Sequence, residues 1–349
     1  MTSAGSGRRI CIVMMSAIGD AVHVLPVVTA LKRFDPGSRI TWILQPAPAS
    51  LVRGHPDVDE ILIFENARGW RGMLELRAEL ARREFDLVLD LQVYLKAGLV
   101  TALTRAPVKL GFDRARARDM NWLFTTERIP PHASQHVQDQ YLEFLTALGI
   151  AAEPLEWKLG PWAGELAMRE RVQAMLPRPL ATLVIGASHR EKEWLPERWA
   201  EVASALRSDF GIEPVLAGGR SARELDTVRR IDAAGAPVHS TLGVPLRELV
   251  AILDASELVI SLDTAPLHMS VALERPVISL MGYNNPKRVG PYRRYHDLIV
   301  DAYGDPGEDY PITYAHRLGR MPRISVRDVL ERVQRWSSVY RGRAASTRS

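Results

Sequence analysis

The sequence has one cysteine, Cys11, in 349 residues. A lone thiol excludes an intramolecular disulfide framework and a zinc site built on cysteines. Cys11 lies in the apolar run Ile10-Cys-Ile-Val-Met-Met15 and reads as core packing, which fits a reducing cytoplasm. No apolar stretch approaches the length of a membrane span, so any membrane contact is expected to be peripheral. The first seven residues are small and polar and lack the apolar core of a secretory signal. There is no Walker A pattern, and the loop Ser16-Ala-Ile-Gly-Asp20 has one glycine, too few for a dinucleotide fingerprint. No interleaved basic and aromatic pattern argues for a nucleic-acid partner.

What is present is ordinary for a globular protein: 46% hydrophobic and 25% charged residues. The net charge of +4 permits contact with phosphate or an anionic surface without demanding it. The length suits two domains. Short β-branched runs at 10–15, 39–44, 60–64, 87–91 and 109–112 alternate with helical patterns, and an amphipathic helix is predicted over 135–148. Periodicity is lost over 150–162, which holds Pro154, Gly160 and Pro161 and is the expected linker. A second alternation has strands near 181–185, 213–216, 238, 258–262 and 276–281. Residues 301–322 are expected to be irregular and 326–336 to form a last helix. Strands alternating with helices predict an α/β fold with parallel sheets covered on both faces. The expected domains are 8–155 and 160–325, with 1–7 and 342–349 as disordered tails.

Several strand ends carry polar loops. The run Leu258-Val-Ile-Ser-Leu262 passes into Asp263-Thr-Ala-Pro-Leu-His268, so Asp263 and Thr264 sit where a strand ends and a helix begins. Open α/β sheets bind ligands at such places, and a helix N-terminus suits an anion. Thr264 is expected to cap that helix, with Pro266 tolerated in its first turn. An ordinary capped helix with His268 facing its own domain is the plainer alternative. Asp20 reads as a general base or as an acidic helix cap, and on local pattern the cap is the simpler reading. Ser188 and Lys192, in Gly186-Ala-Ser-His-Arg-Glu-Lys-Glu-Trp194, suit an anionic ligand but fit a solvated charged loop equally. Gly218-Gly219 is plain turn chemistry or a place where backbone meets a nucleotide. Arg114, Arg116 and Arg118 with Trp122 and Phe124 form a basic-aromatic segment, suited to an acidic sugar or lipid phosphate, or to a solvated helix face.

Taken in order, these segments resemble the bacterial heptosyltransferases, glycosyltransferase family 9. The matches are Arg9 to Pro26 with its Gly-Asp loop, Phe85-Asp-Leu-Val-Leu-Asp-Leu-Gln92, Arg118-Asp119, and His136 before the linker. They continue with Lys192-Glu-Trp-Leu-Pro196, Asp263-Thr-Ala-Pro-Leu-His268, Met281-Gly282 and Gly290-Pro-Tyr292. The resemblance implies the GT-B fold: two Rossmann-like domains facing across a cleft, with the acceptor on the first and the donor on the second. It implies that the last helix, 326–341, packs back toward the first domain.

It further implies an inverting transfer of a heptose or related sugar from an ADP-sugar to a lipopolysaccharide inner-core acceptor, acidic and lipid-linked. Asp20 matches the family's proposed base and Lys192 its diphosphate-binding lysine. Ser188, Asp263, Thr264, Ala265 and His268 fall at donor positions, and Arg116 and Arg118 are the expected acceptor contacts. No Asp-x-Asp signature ends a strand in the donor half, so no metal or other cofactor is expected. The expected location is the cytoplasm, at the inner face of the inner membrane. The sequence departs from the family where Ala265 replaces glycine, where Tyr283-Asn284 replaces Pro or Ala followed by Thr, and where Ala222, with Glu224 nearby, replaces an acidic ribose contact. These departures bear on the donor. The rival readings are a nucleotide-sugar 2-epimerase of the same architecture and a nucleotide-sugar-binding protein without turnover.

Overall fold

The computed structural model describes residues 7–342, so the tails expected at 1–7 and 342–349 lie outside it except for Gly7 and Gly342. The chain divides into two compact units: residues up to Ala133 with Val137–Leu159, and Ser134–His136 with everything from Gly160 onward.

The first unit contains β1 (Arg9–Val13), α1 (Ile18–Phe34), β2 (Arg39–Leu44), α2 (Pro46–Val52), β3 (Glu60–Ile63), α3 (Trp70–Ala81), β4 (Leu87–Asp90), α4 (Leu95–Leu103), β5 (Val108–Gly111), β6 (Glu127–Arg128) and α5 (Val137–Ala147). Its sheet has the order β3-β2-β1-β4-β5-β6, and every pairing is parallel. Apolar runs without alternation suit strands covered by helices on both faces. Cys11 is fully buried against Ile43, Val88 and their neighbours, as core packing requires. The segment expected as linker is held to this unit by Arg33, whose guanidinium donates to the carbonyls of Ala151, Ala152, Glu153 and Pro154.

The second unit contains α6 (Leu166–Ala174), β7 (Leu180–Val184), α7 (Pro196–Phe210), β8 (Glu213–Ala217), α8 (Ala222–Ala233), β9 (His239–Ser240), α9 (Leu246–Ala255), β10 (Leu258–Leu262), α10 (Ala265–Ala272), β11 (Val277–Met281), α11 (Pro286–Val289), β12 (Ile299–Asp301) and α12 (Val326–Val339). Its parallel sheet has the order β12-β11-β10-β7-β8-β9. In both sheets the strand order reverses beside the first strand, between β1 and β4 and between β7 and β10. Open α/β sheets bind ligands at the strand ends beside such a reversal.

Val329, Val333 and Trp336 form the buried stripe of the last helix, which packs on α7, β11 and β12 within the second unit.

Candidate active site

Asp20 stands at the reversal of the first sheet. The segment Ser16–Asp20 was expected to be all loop, yet α1 starts at Ile18, which puts Asp20 in the first helical turn. Its Oδ2 accepts the main-chain N–H of Ala17 at 2.9 Å, satisfying a donor that the helix start leaves without an intrahelical partner. Its Oδ1 accepts the Tyr141 hydroxyl of α5 at 3.0 Å. Asp20 is therefore both the helix cap and a half-buried carboxylate at a strand end, so the two readings of the sequence are compatible.

The neighbouring loop after β4 holds this turn in place. The Gln92 side chain accepts the Met15 N–H at 3.0 Å and donates to the Ser16 carbonyl at 2.8 Å. Gln92 is positioned in turn by Asp90, whose Oδ1 accepts the Gln92 N–H and whose Oδ2 accepts Asn121 Nδ2. Asp90 is fully buried, and burial pushes its carboxyl up to about 7, against the pull of those donors.

The two arginines expected at the acceptor separate. Arg116 donates to both carboxylate oxygens of Glu143, each at 2.7 Å, to Asp113, and to the Pro130 carbonyl. Its side chain is 12% exposed, so it is corrected from an acceptor contact to an internal tie between the loop after β5 and α5. Arg118 is exposed, with its guanidinium 6.0 Å from the Tyr94 ring.

At the reversal of the second sheet Lys192 and Asp263 meet. Lys192 Nζ lies 2.9 Å from Asp263 Oδ2 and 3.1 Å from the Asp263 carbonyl, with the two side chains 13% and 8% exposed. Asn284 Nδ2 donates to the same Oδ2. His316 Nδ1 donates to Asn284 Oδ1 at 2.7 Å, which fixes the imidazole as its Nδ1–H form. The Tyr283 ring stacks on His316 at 4.6 Å and faces His189 at 6.1 Å. Burial, then the charges of Lys192 and Arg288, hold His316 below the usual histidine range.

The other expected donor residues surround this group. Ser188 is exposed in the loop after β7. Thr264 occupies the N-cap of α10, but its hydroxyl donates to the Leu262 carbonyl at 3.3 Å and caps no helical amide. That corrects the expected side-chain cap. Ala265 is the first residue of α10 and does not have positive φ, so alanine fits where the family has glycine. His268 is buried on the same helix. Glu224 folds back over the glycine loop: Oε1 accepts the Gly219 N–H at 2.6 Å, and Oε2 accepts the Ser221 N–H and hydroxyl. A Cβ on Gly186 would fall 1.9 Å from Glu224 Oε1, so a larger residue there would displace the Glu224 carboxylate.

Sequence reasoning missed Tyr141 and His316 as partners of the site, and the pairing of Asn284 with Asp263 and His316. Tyr141 was legible only as an apolar position of a helix. Asn284 and His316 are 32 residues apart, with no local signal joining them. Among the described residues no group of three or more His, Cys, Asp or Glu is arranged to hold a metal.

The model of glycosyltransferase family 9 (heptosyltransferase) matches residues 73–306. The chain is 28% identical over 315 residues to the lipopolysaccharide core heptosyltransferase OpsX of Haemophilus influenzae, covering 87% of this chain and 89% of that protein. Among solved structures, a family 9 glycosyltransferase from Veillonella parvula superposes with a TM-score of 0.79 at 20% identity, covering 96% of this chain and 98% of that one. The E. coli heptosyltransferase WaaC with ADP gives a TM-score of 0.76 at 24% identity, covering 94% and 99%. The fold is thus that of the GT-B heptosyltransferases, and the family decides for a transferase over the epimerase alternative. This chain belongs to glycosyltransferase family 9, the heptosyltransferases.

Proposed function

We propose that the protein transfers a heptose from ADP-heptose to an acidic, lipid-linked inner-core sugar of lipopolysaccharide, with inversion. The observation that carries this reading is the Lys192–Asp263 pair at the reversal of the second sheet, in a chain of family 9. The acceptor hydroxyl oxygen attacks the anomeric carbon as the bond from that carbon to the diphosphate oxygen breaks. ADP leaves with the bonding electrons, and the hydroxyl proton passes to the Asp20 carboxylate. Lys192, Ser188 and the main-chain N–H groups at the start of α10, at Thr264 and Ala265, receive the charge that develops on the diphosphate. Asp263 positions donor hydroxyls, with His268 one turn further along α10, and Arg118 meets the acidic acceptor. Lys192 and the helix dipole take the place of a metal.

Two relatives support the donor and acceptor classes. OpsX is a lipopolysaccharide core heptosyltransferase, and WaaC has been solved with ADP-2-deoxy-2-fluoro heptose. Among the described residues no helix is long and apolar enough to cross a membrane. We place the enzyme in the cytoplasm, working at the inner membrane face.

The test is incubation with a panel of nucleotide sugars, with and without heptose-free lipopolysaccharide. Mass analysis should show an acceptor heavier by one heptose and free ADP, only when both substrates are present. Conversion of a nucleotide sugar to its epimer without acceptor, or binding without turnover, contradicts the reading.

A further inference from the structure

The strand-end edge of the first sheet carries an exposed apolar face. Tyr94, Leu95 and Leu99, at the start of α4, are 51%, 40% and 42% exposed. Leu95 and Leu99 are four residues apart and share one side of the helix. The short 3-10 turn Asn121–Phe124 lies against α4 at Gly98, where an added Cβ would come within 2.4 Å of Phe124. This turn and the residue before it expose Leu123 to 54% and Met120 to 60%. Large apolar side chains left in water on touching elements mark an interaction surface.

The charge around this face has one dominant sign. Residues 94–128 contain seven Lys and Arg against three Asp and Glu, and Arg116 and Asp113 are withdrawn into their own ion pair. The Arg114 guanidinium lies 4.3 Å from the Trp122 ring and that of Arg128 5.5 Å from it. Long cationic stems laid over apolar groups, with charged heads in water and a tyrosine at the edge, suit the boundary between headgroups and acyl chains.

We propose that this α4 face docks on an anionic lipid surface. Its place in the sheet supports that occupant. Tyr94 is two residues beyond Gln92, and Gln92 bonds to Ser16 in the turn that carries Asp20. A lipid contact here brings the Asp20 edge to the headgroups, where a membrane-anchored acceptor presents its sugar. The inference rests on the proposed lipid-linked acceptor and adds the surface that meets the membrane. Attraction to anionic headgroups strengthens with each basic residue near the surface and is screened by salt.

Co-sedimentation of the full chain with phosphatidylcholine vesicles, and with equimolar phosphatidylcholine–phosphatidylglycerol vesicles, tests it. Wild-type protein should sediment with the anionic vesicles and be released by salt. Two variants, Leu95→Ser/Leu99→Ser/Leu123→Ser and Met120→Asp, should each weaken vesicle binding, the triple variant by at least roughly tenfold. Their thermal unfolding should match wild type, because these side chains are exposed. The KM for acceptor embedded in vesicles should rise in the triple variant, while the KM for the same glycan without acyl chains stays level. Wild-type protein that stays in solution, or variants that sediment like wild type, would overturn the proposal. So would a protein partner held by this face in the absence of vesicle binding. Vesicle binding needs no turnover. Binding through this face without transfer therefore contradicts only the proposed function, and transfer without vesicle binding contradicts only this inference.

Discussion

Lys192 and Asp263 close on one another: Nζ lies 2.9 Å from Oδ2 and 3.1 Å from the carbonyl of the same residue. The cation proposed to meet the departing diphosphate is thus already held, nearly buried, at the strand end. A point charge fixed before the reaction needs little reorganisation when charge develops.

Lys192→Ala should lower turnover by roughly 10²–10³-fold, the usual loss for one fixed transition-state donor. It should also cost about 1–3 kcal/mol of stability, because Asp263 keeps the Asn284 donor but loses its counter-charge. If Lys192 and the helix dipole replace a metal, activity should persist in excess EDTA after metal stripping. Stripped enzyme that is inactive until Mg²⁺ is restored would make Asp263 a candidate metal ligand.

The arginines should behave oppositely. Arg116→Ala breaks contacts to Asp113 and Glu143 and should destabilise the fold by about 3 kcal/mol, read by urea unfolding. Arg118→Ala should leave unfolding unchanged, raise the acceptor KM and spare the donor Kd. Added salt should raise the wild-type acceptor KM in the same direction. An acceptor KM indifferent to Arg118→Ala would exclude that residue from acceptor binding.

Asp90 should give stability a pH dependence. Its carboxyl titrates near 7 in the fold, against about 3.9 for an unfolded aspartate. Between those values the folded chain holds a proton that the unfolded chain has lost, so this group's contribution falls as pH rises toward 7 and is level above it. Asp90→Asn carries no such titration. The stability difference between wild type and variant should therefore shift against wild type from pH 5 to pH 8. A difference that is flat across that interval would mean Asp90 is ionised in the fold throughout.

The strand ends were legible because two signals coincide there. Apolar β-branched runs such as Leu258–Leu262 stop abruptly, and polar residues precede the next helical pattern. The same logic put Asp20, Lys192 and Asp263 at strand ends, while the roles expected of them came from the family resemblance. It failed for Arg116, because a basic segment looks alike whether its arginines face solvent or pair with a carboxylate as distant in sequence as Glu143. His316 was hidden for another reason: it sits in an irregular stretch, and it joins the site only through Tyr283 and Asn284, which are distant from it in sequence.

Tyr283 and Asn284 stand where this chain departs from its family; Asn284 donates to Asp263, the residue proposed to read the donor sugar, and His316 bonds to Asn284 and stacks on Tyr283. Asn284→Ala removes one donor to Asp263 and the acceptor of His316, so the donor KM should rise by roughly three- to tenfold, a loss of about 1 kcal/mol. His316→Ala should produce part of that rise. Competition between ADP-heptose and other ADP-sugars reads the effect. Identical selectivity in wild type and both variants would exclude this group from donor choice.

The most direct measurement is transfer by Asp20→Asn, made beside its affinity for donor. Asparagine still offers an oxygen to the Ala17 N–H or the Tyr141 hydroxyl, so the turn is retained, but it cannot take the acceptor proton. The account predicts turnover lower by roughly 10²–10⁴-fold with donor Kd nearly unchanged. Wild-type turnover in this variant would contradict it and leave Asp20 as the cap of α1 alone.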